Sequence, residues 1–183
     1  MGELALLGAG HRHALQLHLL SLSPQDRCQR FGLALSDDRV MAWSRQRPWA
    51  TEQWWGAWSR PHAGLLGALQ LAPTGHPEVW ELALTVTAPA RRQGVGTALL
   101  AAATLNGHTP QMRTLVCQHG HPTVARMAQR LGHGVRAQAC EPRLWIDLAA
   151  ARRSPHRTDS WDAMAFGESG SLTPGTGSVA AVC

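Results

Sequence analysis

The sequence predicts one mixed α/β domain over residues 1–150, built on a mostly antiparallel central sheet. Two patterns predict this class. Apolar residues recur at helical spacing over 11–45, whereas short apolar runs of strand length, bounded by turn residues, dominate from residue 53 onward. The chain has 183 residues, 44% of them apolar, which is enough for one hydrophobic core.

The N-terminal third is predicted to hold one strand followed by helices. Leucines recur at helical spacing in the first helix, Ser23 is a suitable N-cap for the second, and Pro48 ends the helical region. The strand is predicted over 4–7, and the helices over 11–22, over 24–31 and from Ser36 through Trp43.

The remainder of the domain is predicted to alternate strands with two further helices. The strands cover 53–59, 64–71, 79–86, 113–117, 135–139 and 144–148, with turns at 60–63 and 73–77 and helices at 94–106 and 122–131. The element order is β-α-α-β-β-β-α-β-α-β-β. Beyond Arg152 the chain is rich in Gly, Ser, Thr and Pro, so residues 151–183 are predicted to form a flexible or disordered tail.

The segment 86–100 carries the strongest functional signal. A strand leads into Arg91-Arg92-Gln93-Gly94-Val95-Gly96-Thr97, and an Ala/Leu-rich helix follows. The first N–H groups of a helix have no internal partner and the helix dipole favours negative charge there, so this order builds an anion site. The glycines permit close approach of a phosphate, and the arginines add cationic donors.

Two common nucleotide-binding motifs do not fit this loop. A Walker A loop requires Lys, and the chain contains none. A dinucleotide fingerprint requires an acidic residue about 20 positions later, but no acid lies between Glu81 and Glu141. The remaining pattern, R-x-x-G-x-G at Arg91, Gly94 and Gly96, resembles the acyl-CoA pyrophosphate loop of the GNAT superfamily of N-acyltransferases.

The resemblance covers about residues 3–149. His121 follows a strand at the family's usual Asn position, and the next helix ends at Gly132 as in the family. The segments Asp26-Arg27, Arg30-Phe31-Gly32 and Ser36-Asp37 are similar to a bacterial subgroup with a double helix after the first strand. One departure is Ala88, where the family usually has Pro; Pro89 follows it.

The resemblance implies an acetyl-CoA-dependent N-acetyltransferase that acts on a primary amine of a small molecule or protein. Cys117, His119 and His121 suggest a metal site, but their spacing fits no common zinc pattern, so no metal is expected. The resemblance also implies two splayed strands, with main-chain atoms near the end of the fourth strand polarising the thioester. Cofactor binding is carried over to Leu84, Thr85, Val86, Arg91, Arg92, Gln93, Gly94, Val95, Gly96, Thr97 and His121.

Catalytic roles are predicted for Glu81 and His121. Glu81 stands on the fourth strand, where family members often place a base; the alternative is a structural carboxylate that pairs with Arg or caps backbone. Family members often use Tyr as the acid, but Ala128 occupies that position and the chain has no Tyr. Cys117, His119 or His121 are the substitutes, with solvent protonation as a further route, and His121 is also predicted to bind the pantetheine arm.

Other function classes remain open at this stage. A non-catalytic acyl-CoA-binding regulatory module is the main alternative because the Tyr is missing. The net charge of +5 suggests nucleic acid, but all 17 basic residues are Arg and they are scattered, so nucleic-acid binding is not expected. We expect a cytoplasmic monomer or homodimer without membrane association, because the N-terminus lacks the pattern of a signal peptide and no long apolar run occurs.

The aromatic and imidazole side chains suggest mainly structural roles. Trp residues either wall an acceptor pocket or fill the core, and core filling is the favoured interpretation for Trp49, Trp54, Trp55, Trp58 and Trp80. The first helix carries three histidines that are predicted to be solvated, namely His11, His13 and His18. The four cysteines are widely spaced, which indicates free thiols rather than disulfides or a zinc site.

Overall fold

The computed structural model describes residues 3–59, 64–107, 109, 111–137 and 142–148. Seven strands form one sheet in the order β1-β2-β3-β4-β5-β7-β6, which confirms the predicted mixed α/β class. The strands are β1 Leu4–Leu7, β2 Gln53–Trp58, β3 Leu65–Pro73, β4 Val79–Val86, β5 Thr114–Cys117, β6 Gly134–Ala137 and β7 Leu144–Asp147.

Five α-helices cover the two faces of the sheet within the described residues. They are α1 Arg12–Leu20, α2 Pro24–Phe31, α3 Asp37–Arg45, α4 Val95–Asn106 and α5 Pro122–Arg130. Three of them separate β1 from β2. The predicted element order has only two helices at that place and is therefore one helix short. The third is the helix that the Ser36 N-cap predicts. Short 3₁₀ turns at Ala9–His11 and Ala88–Ala90 complete the connections.

The sheet is antiparallel except between β4 and β5. These two strands run parallel and pair only where Val79, Trp80 and Glu81 face Thr114, Leu115 and Val116. The rest of β4 continues to Val86, fully paired with β3 on its other side. The two parallel strands therefore separate in the middle of the sheet, as the family resemblance implies.

Each face of the sheet has its own hydrophobic core. Helices α1 and α3 cover one core, which includes Leu15, Val40 and Trp54. Helices α4 and α5 cover the other, which includes Leu99 and Ala128. Trp49, Trp54 and Trp58 belong to the first core and Trp55 and Trp80 to the second, which confirms core filling and excludes a single pocket walled by all five.

The prediction that His18 is solvated is wrong. His18 is 3% exposed, and its ring nitrogens lie 2.8 Å from the Thr85 hydroxyl and 3.2 Å from the Leu65 carbonyl oxygen. Leu15 and Leu22 lie three residues before and four after it, so His18 occupies the buried stripe of the helix. His13 is exposed, whereas His11 is half-buried and accepts a hydrogen bond from the Gly8 N–H.

Several sequence predictions fall on residues outside the described ranges. They are the turn at 60–63, the end of the strand predicted over 135–139, and the tail at 151–183. Within the described part, no helix has both the length and the apolar character needed to cross a bilayer. Cys28 and Cys117 are free thiols.

Candidate functional site

A cleft of about 1100 Å³ follows the unpaired half of β4. One end reaches the loop that precedes α4, and the other opens into a chamber on the α1–α3 face of the sheet. We define the loop end by residues 91–97. We define the chamber by Arg30, Trp43, Gln70 and Glu81, all of which line the cleft. The cleft therefore brings together residues predicted from distant parts of the sequence.

The loop end is made chiefly of main chain. Gly94 has φ +83° and forms the N-cap of α4, with no side chain to satisfy the first N–H groups of the helix. Arg92 also has positive φ (62°), a conformation that non-glycine residues seldom adopt. No acidic residue lies in the first turn of α4. The start of α4 thus keeps free donors and a positive dipole end directed to the cleft.

The two arginines of the loop differ in their surroundings. Arg91 forms an ion pair with Asp26 of α2, with 2.6 Å between Nη2 and Oδ1, and its Nε donates to the Val86 carbonyl oxygen at 3.2 Å. Arg92 is exposed and lines the cleft. Arg91 therefore ties the loop to α2, while Arg92 is open to a ligand.

Gln93 is the one predicted cofactor residue that does not line the cleft. Its side-chain amide donates to the Pro89 carbonyl oxygen at 2.8 Å and stabilises the preceding turn. The other predicted residues, Leu84, Thr85, Val86, Arg91, Arg92, Gly94, Val95, Gly96, Thr97 and His121, all line it.

The free edge of β4 presents main-chain groups to the cleft. The Thr87 N–H donates to Leu66 of β3, so alternation directs the N–H groups of Leu84 and Val86 the other way, toward the gap beside β5. The main chain of Thr85 faces β3 instead, and its hydroxyl contacts His18. Leu84 and Val86 are thus better placed than Thr85 to offer a main-chain donor.

The contact between His18 and Thr85 lies behind this edge. Burial lowers the pKa of His18 to about 4, while its hydrogen bond to the Leu65 carbonyl opposes the shift only in part. The imidazole is therefore neutral at pH 7 and holds α1 to both β3 and β4. This contact is structural.

Glu81 points to the chamber side of the sheet. It pairs with Ala72 of β3, and the next pair along the same face is Ala83 with Gln70. The small side chains of Ala72 and Ala83 form the floor of the chamber between Glu81 and Gln70, and all four residues line the cleft. The sheet thus places one carboxylate beside an open space.

Helices α2 and α3 roof the chamber with cationic and aromatic side chains, which our sequence analysis did not assign to the site. The guanidinium carbon of Arg30 lies 4.9 Å from the Phe31 ring centroid and 5.1 Å from that of Trp43, and its Nη2 donates to Gln70 Oε1. Arg47 lies 4.1 Å from the Trp43 ring centroid. Arg30 follows Asp26 by four residues, but Asp26 pairs with Arg91 instead, so this spacing did not signal the site.

The thiol of Cys117 also reaches the cleft. Burial raises its pKa to about 12, and its sulfur donates to the Leu82 carbonyl oxygen at 3.2 Å. A thiol with this pKa stays protonated at pH 7, so it is a poor nucleophile. It is also a weaker acid than an ordinary thiol, whose pKa is about 8.5, and a poor proton donor to a thiolate of that kind.

His121 lies at the beginning of α5. Its Nδ1 accepts a hydrogen bond from the Thr123 N–H at 3.1 Å and caps the helix. The capping bond requires an unprotonated Nδ1, so the ring carries its hydrogen on Nε2. With Nδ1 occupied by the cap, Nε2–H is the hydrogen-bond donor of this ring. His119 lies near Gly32 at the end of α2, and Ala128 is fully buried in the core under α5.

Among the described residues, no group of three or more His, Cys, Asp or Glu side chains is arranged to hold a metal ion.

Solved structures support the fold assignment. The GNAT domain of S. lividans PAT superposes with a TM-score of 0.60 at 13% identity, over 78% of this chain and 87% of that one. The yncA protein from Salmonella typhimurium, solved with its cofactor acetyl-CoA, gives 0.59 at 12% identity, over 81% and 94%. Ribosomal-protein-alanine N-acetyltransferase from Brucella melitensis gives 0.55 at 14% identity, over 78% and 96%.

Sequence comparison gives the family directly. No individual curated protein matches the chain. The family model described as "Acetyltransferase (GNAT) family" matches residues 20–133, which include α2, the free edge of β4, the glycine loop and α5. The chain therefore belongs to the GNAT acetyltransferase family.

Proposed function

We propose that the protein transfers an acetyl group from acetyl-CoA to a primary amine. One observation carries this proposal: a single cleft connects a main-chain anion site, an open strand edge and a chamber containing a carboxylate. These are the three features that binding a phosphorylated thioester and deprotonating an amine require.

In this proposal the donor lies along β4. The pyrophosphate accepts hydrogen bonds from the N–H groups at the start of α4, with Arg92 beside it. The extended pantetheine arm follows the gap between β4 and β5. The N–H of Leu84 or Val86 donates to the thioester carbonyl oxygen and stabilises the negative charge that develops there. His121 contributes a donor from Nε2.

Transfer then proceeds directly to the amine. The ammonium group of the acceptor loses a proton to Glu81, and the amine nitrogen attacks the thioester carbon. The C–S bond breaks, the nitrogen loses its second proton, and CoA leaves as a thiolate that takes up a proton from solvent. The net products are an amide, CoA and one released proton. Cys117 forms no acyl intermediate because its thiol stays protonated.

The binding-module alternative has one observation in its favour. The position at which family members carry Tyr holds Ala128, which is buried in the core and has no proton to donate. The structure gives less support to the nucleic-acid alternative. Three arginines of the protein already pair with carboxylates, Arg27 with Asp37, Arg47 with Glu52 and Arg91 with Asp26.

Calorimetric titration with acetyl-CoA tests the donor site, using a matched pair of variants. Thr97 lies in the first turn of α4 and lines the cleft. Thr97→Glu puts a carboxylate where the pyrophosphate is expected and should raise the Kd about 10-fold or more, whereas Thr97→Gln has the same size without the charge and should change it little. Substituting Gly96 is less clean, because its Cβ would lie 3.1 Å from the Met127 sulfur.

Thiol release from acetyl-CoA over a panel of amines tests the reaction. Amine-dependent release supports the transferase. Tight binding of acetyl-CoA without release on any amine supports the binding module, and no binding by the folded protein refutes both. If Thr97→Glu and Thr97→Gln bind acetyl-CoA with equal affinity, the proposal that the pyrophosphate lies at the start of α4 is wrong.

A further inference from the structure

The chamber has a definite size and floor. Gln70 and Glu81 lie on neighbouring strands, offset by two residues, and side chains in that relation are separated by about 7–8 Å. Ala72 and Ala83 fill only the floor between them. The space between the two polar side chains therefore fits a small molecule or the end of a chain.

Of the residues that the structure describes, none places a carboxylate within ion-pair distance of Arg30. Gln70 is its one hydrogen-bond acceptor among the described residues, and Arg30 and Glu81 interact electrostatically without forming an ion pair. Arg47, by contrast, lies 3.1 Å from a carboxylate oxygen of Glu52, which also accepts from the Trp54 indole at 2.9 Å. The remaining donors of Arg30 are thus available to the cleft.

The position of Arg30 is fixed by its neighbours. The Phe31 and Trp43 rings each approach its guanidinium, and Gln70, only 5% exposed, anchors one end. Burial lowers its pKa to about 10, partly offset by Glu81, so the group stays charged at pH 7. A fixed planar guanidinium with free donors matches a carboxylate, which it can bind through two parallel hydrogen bonds.

From this geometry we propose that the acceptor is a small amino acid, a molecule that carries both a primary amine and a free carboxylate, and that Arg30 binds its carboxylate. The proposal rests on the acetyltransferase function above. The amine then faces Glu81 across the floor formed by Ala72 and Ala83. Arg30 acts on specificity and does not exchange protons with the substrate.

Charge balance favours this class over other anions. Arg47 contacts Trp43 beside the chamber and pairs with Glu52, so the charged groups around Arg30 and Glu81 include one further cation and one further acid, already paired with each other. A zwitterion adds no net charge and pairs each of its ends with an opposite charge. A phosphate dianion would meet the same arginine, but it would bring a second negative charge near Glu52 and Glu81. A simple amine would leave the guanidinium without an anion.

The test uses matched trios of acceptors with the full-length protein and acetyl-CoA. Each trio contains an amino acid, its amide and its decarboxylated amine, taken from several side-chain classes. We expect kcat/KM for the preferred amino acid to exceed that for its amide and amine about 10²-fold, the effect of losing a charged hydrogen-bonded pair. Arg30→Met keeps an apolar stem between the rings and should lower only the amino-acid rate, to near that of the amine.

The control is Arg39→Met on α3, which removes one exposed positive charge outside the cleft and should retain the preference. Acetyl-CoA affinity and melting temperature verify that each variant folds. If amide and amine react as fast as the amino acid in the wild type, the carboxylate site is refuted while the transferase function stands, and this comparison holds even if Arg30→Met does not fold. If acetyl-CoA binds but no member of any trio is acetylated, this proposal is refuted, and thiol release over the wider panel of amines decides separately whether the transferase function stands.

Discussion

The loop end of the cleft and the chamber differ in which atoms they offer to a ligand. The loop end offers main-chain N–H groups, placed by Gly94 at the start of α4 and by the free edge of β4. The chamber offers side chains from α2, α3, β3 and β4. A site made of main chain tolerates sequence change and suits a constant ligand, whereas a site made of side chains determines specificity.

Because of this difference, we expect variants of the loop end and variants of the chamber to change different properties of the protein. Changes at the loop end should alter affinity for acetyl-CoA and spare the choice of acceptor. Changes in the chamber should alter turnover and acceptor preference and spare acetyl-CoA affinity. Asp26 and Arg91 join the two ends, so they provide the most direct test of how independent those ends are.

Glu81→Gln should give the largest effect in the chamber. The variant keeps the shape of the side chain and removes the proposed base, so we expect kcat to fall about 10²-fold or more and the acidic limb of its pH profile to disappear. The Kd for acetyl-CoA should stay near the wild-type value. Glu78→Gln is the matched control, because Glu78 is exposed just before β4 and does not line the cleft. Near-normal turnover with a lowered melting temperature would make Glu81 structural.

His18, which lies behind the free edge of β4, should make the free energy of unfolding depend on pH. Its pKa is about 4 in the folded protein and near 6.5 when unfolded, so the unfolded chain takes up a proton first as the pH falls. The contribution of neutral His18 to the free energy of unfolding is fully present above pH 6.5 and is lost as the pH falls from 6.5 to 4. Between pH 7 and pH 5 the free energy of unfolding should fall by about 2 kcal/mol from this residue alone.

Urea unfolding at the two pH values measures this loss. His18→Gln cannot titrate, so the difference between wild type and variant isolates the imidazole from the other acidic and basic groups. An identical pH dependence in both proteins would mean that the pKa of His18 does not differ between the folded and the unfolded protein.

Asp26→Asn should have a smaller effect, a change in the affinity of the loop end for acetyl-CoA caused by a residue of α2. Burial raises the pKa of Asp26, but hydrogen bonds from Ser23 and Arg91 outweigh this and hold the pKa below its usual value, so the group is a carboxylate at pH 7. In the proposed acetyl-CoA complex it therefore competes with the pyrophosphate for Arg91. The variant should bind acetyl-CoA a few-fold more tightly at low salt, with the gain diminishing as salt screens the charges.

Asp38→Asn, on an exposed carboxylate of α3 outside the cleft, is the control for the loss of one negative charge. Weaker binding by Asp26→Asn would instead show that the ion pair positions Arg91 for the ligand.

His121→Asn should give the smallest effect. Asn is a good N-cap and replaces the bond that the imidazole Nδ1 makes to the Thr123 N–H. We expect kcat within about threefold of the wild type, since we assign His121 to donor contact rather than proton transfer. Steady-state kinetics check this, and His121→Ala, which lacks the cap, should lose about 1 kcal/mol of stability. A 10²-fold fall in kcat for His121→Asn at unchanged stability would make the residue catalytic.

Sequence reasoning reached the loop end because its determinants are local. A strand, two glycines and a helix start follow one another within twenty residues. The main chain at a helix start supplies the anion-binding N–H groups whatever the side chains are. The elements were predictable for the same reason, because caps such as Ser23 and breaks such as Pro48 act on their own neighbours. The predicted Ser23 cap is present, with its hydroxyl accepting from the Asp26 N–H at 3.1 Å.

The chamber was not predictable because its residues converge only in three dimensions. Arg30, Trp43 and Gln70 come from three elements, and none has a neighbour in sequence that signals an anion site. His18 shows a different failure. Its polarity suggested solvent, although its spacing from Leu15 and Leu22 placed it on the buried stripe, where Thr85 and the Leu65 carbonyl satisfy it.

The separation of β4 from β5 also bears on self-association. Unpaired strand groups usually occur at the rim of a sheet, where a second chain can add a strand and begin aggregation. Here the N–H groups of Leu84 and Val86, which point away from β3, lie inside the sheet, with β3 on one side and β5 and β7 beyond the gap. Because strands of the same sheet lie on both sides of the gap, these N–H groups do not form part of a rim that a second chain could extend. The open edge of β4 is therefore kept away from the place where strand addition usually begins.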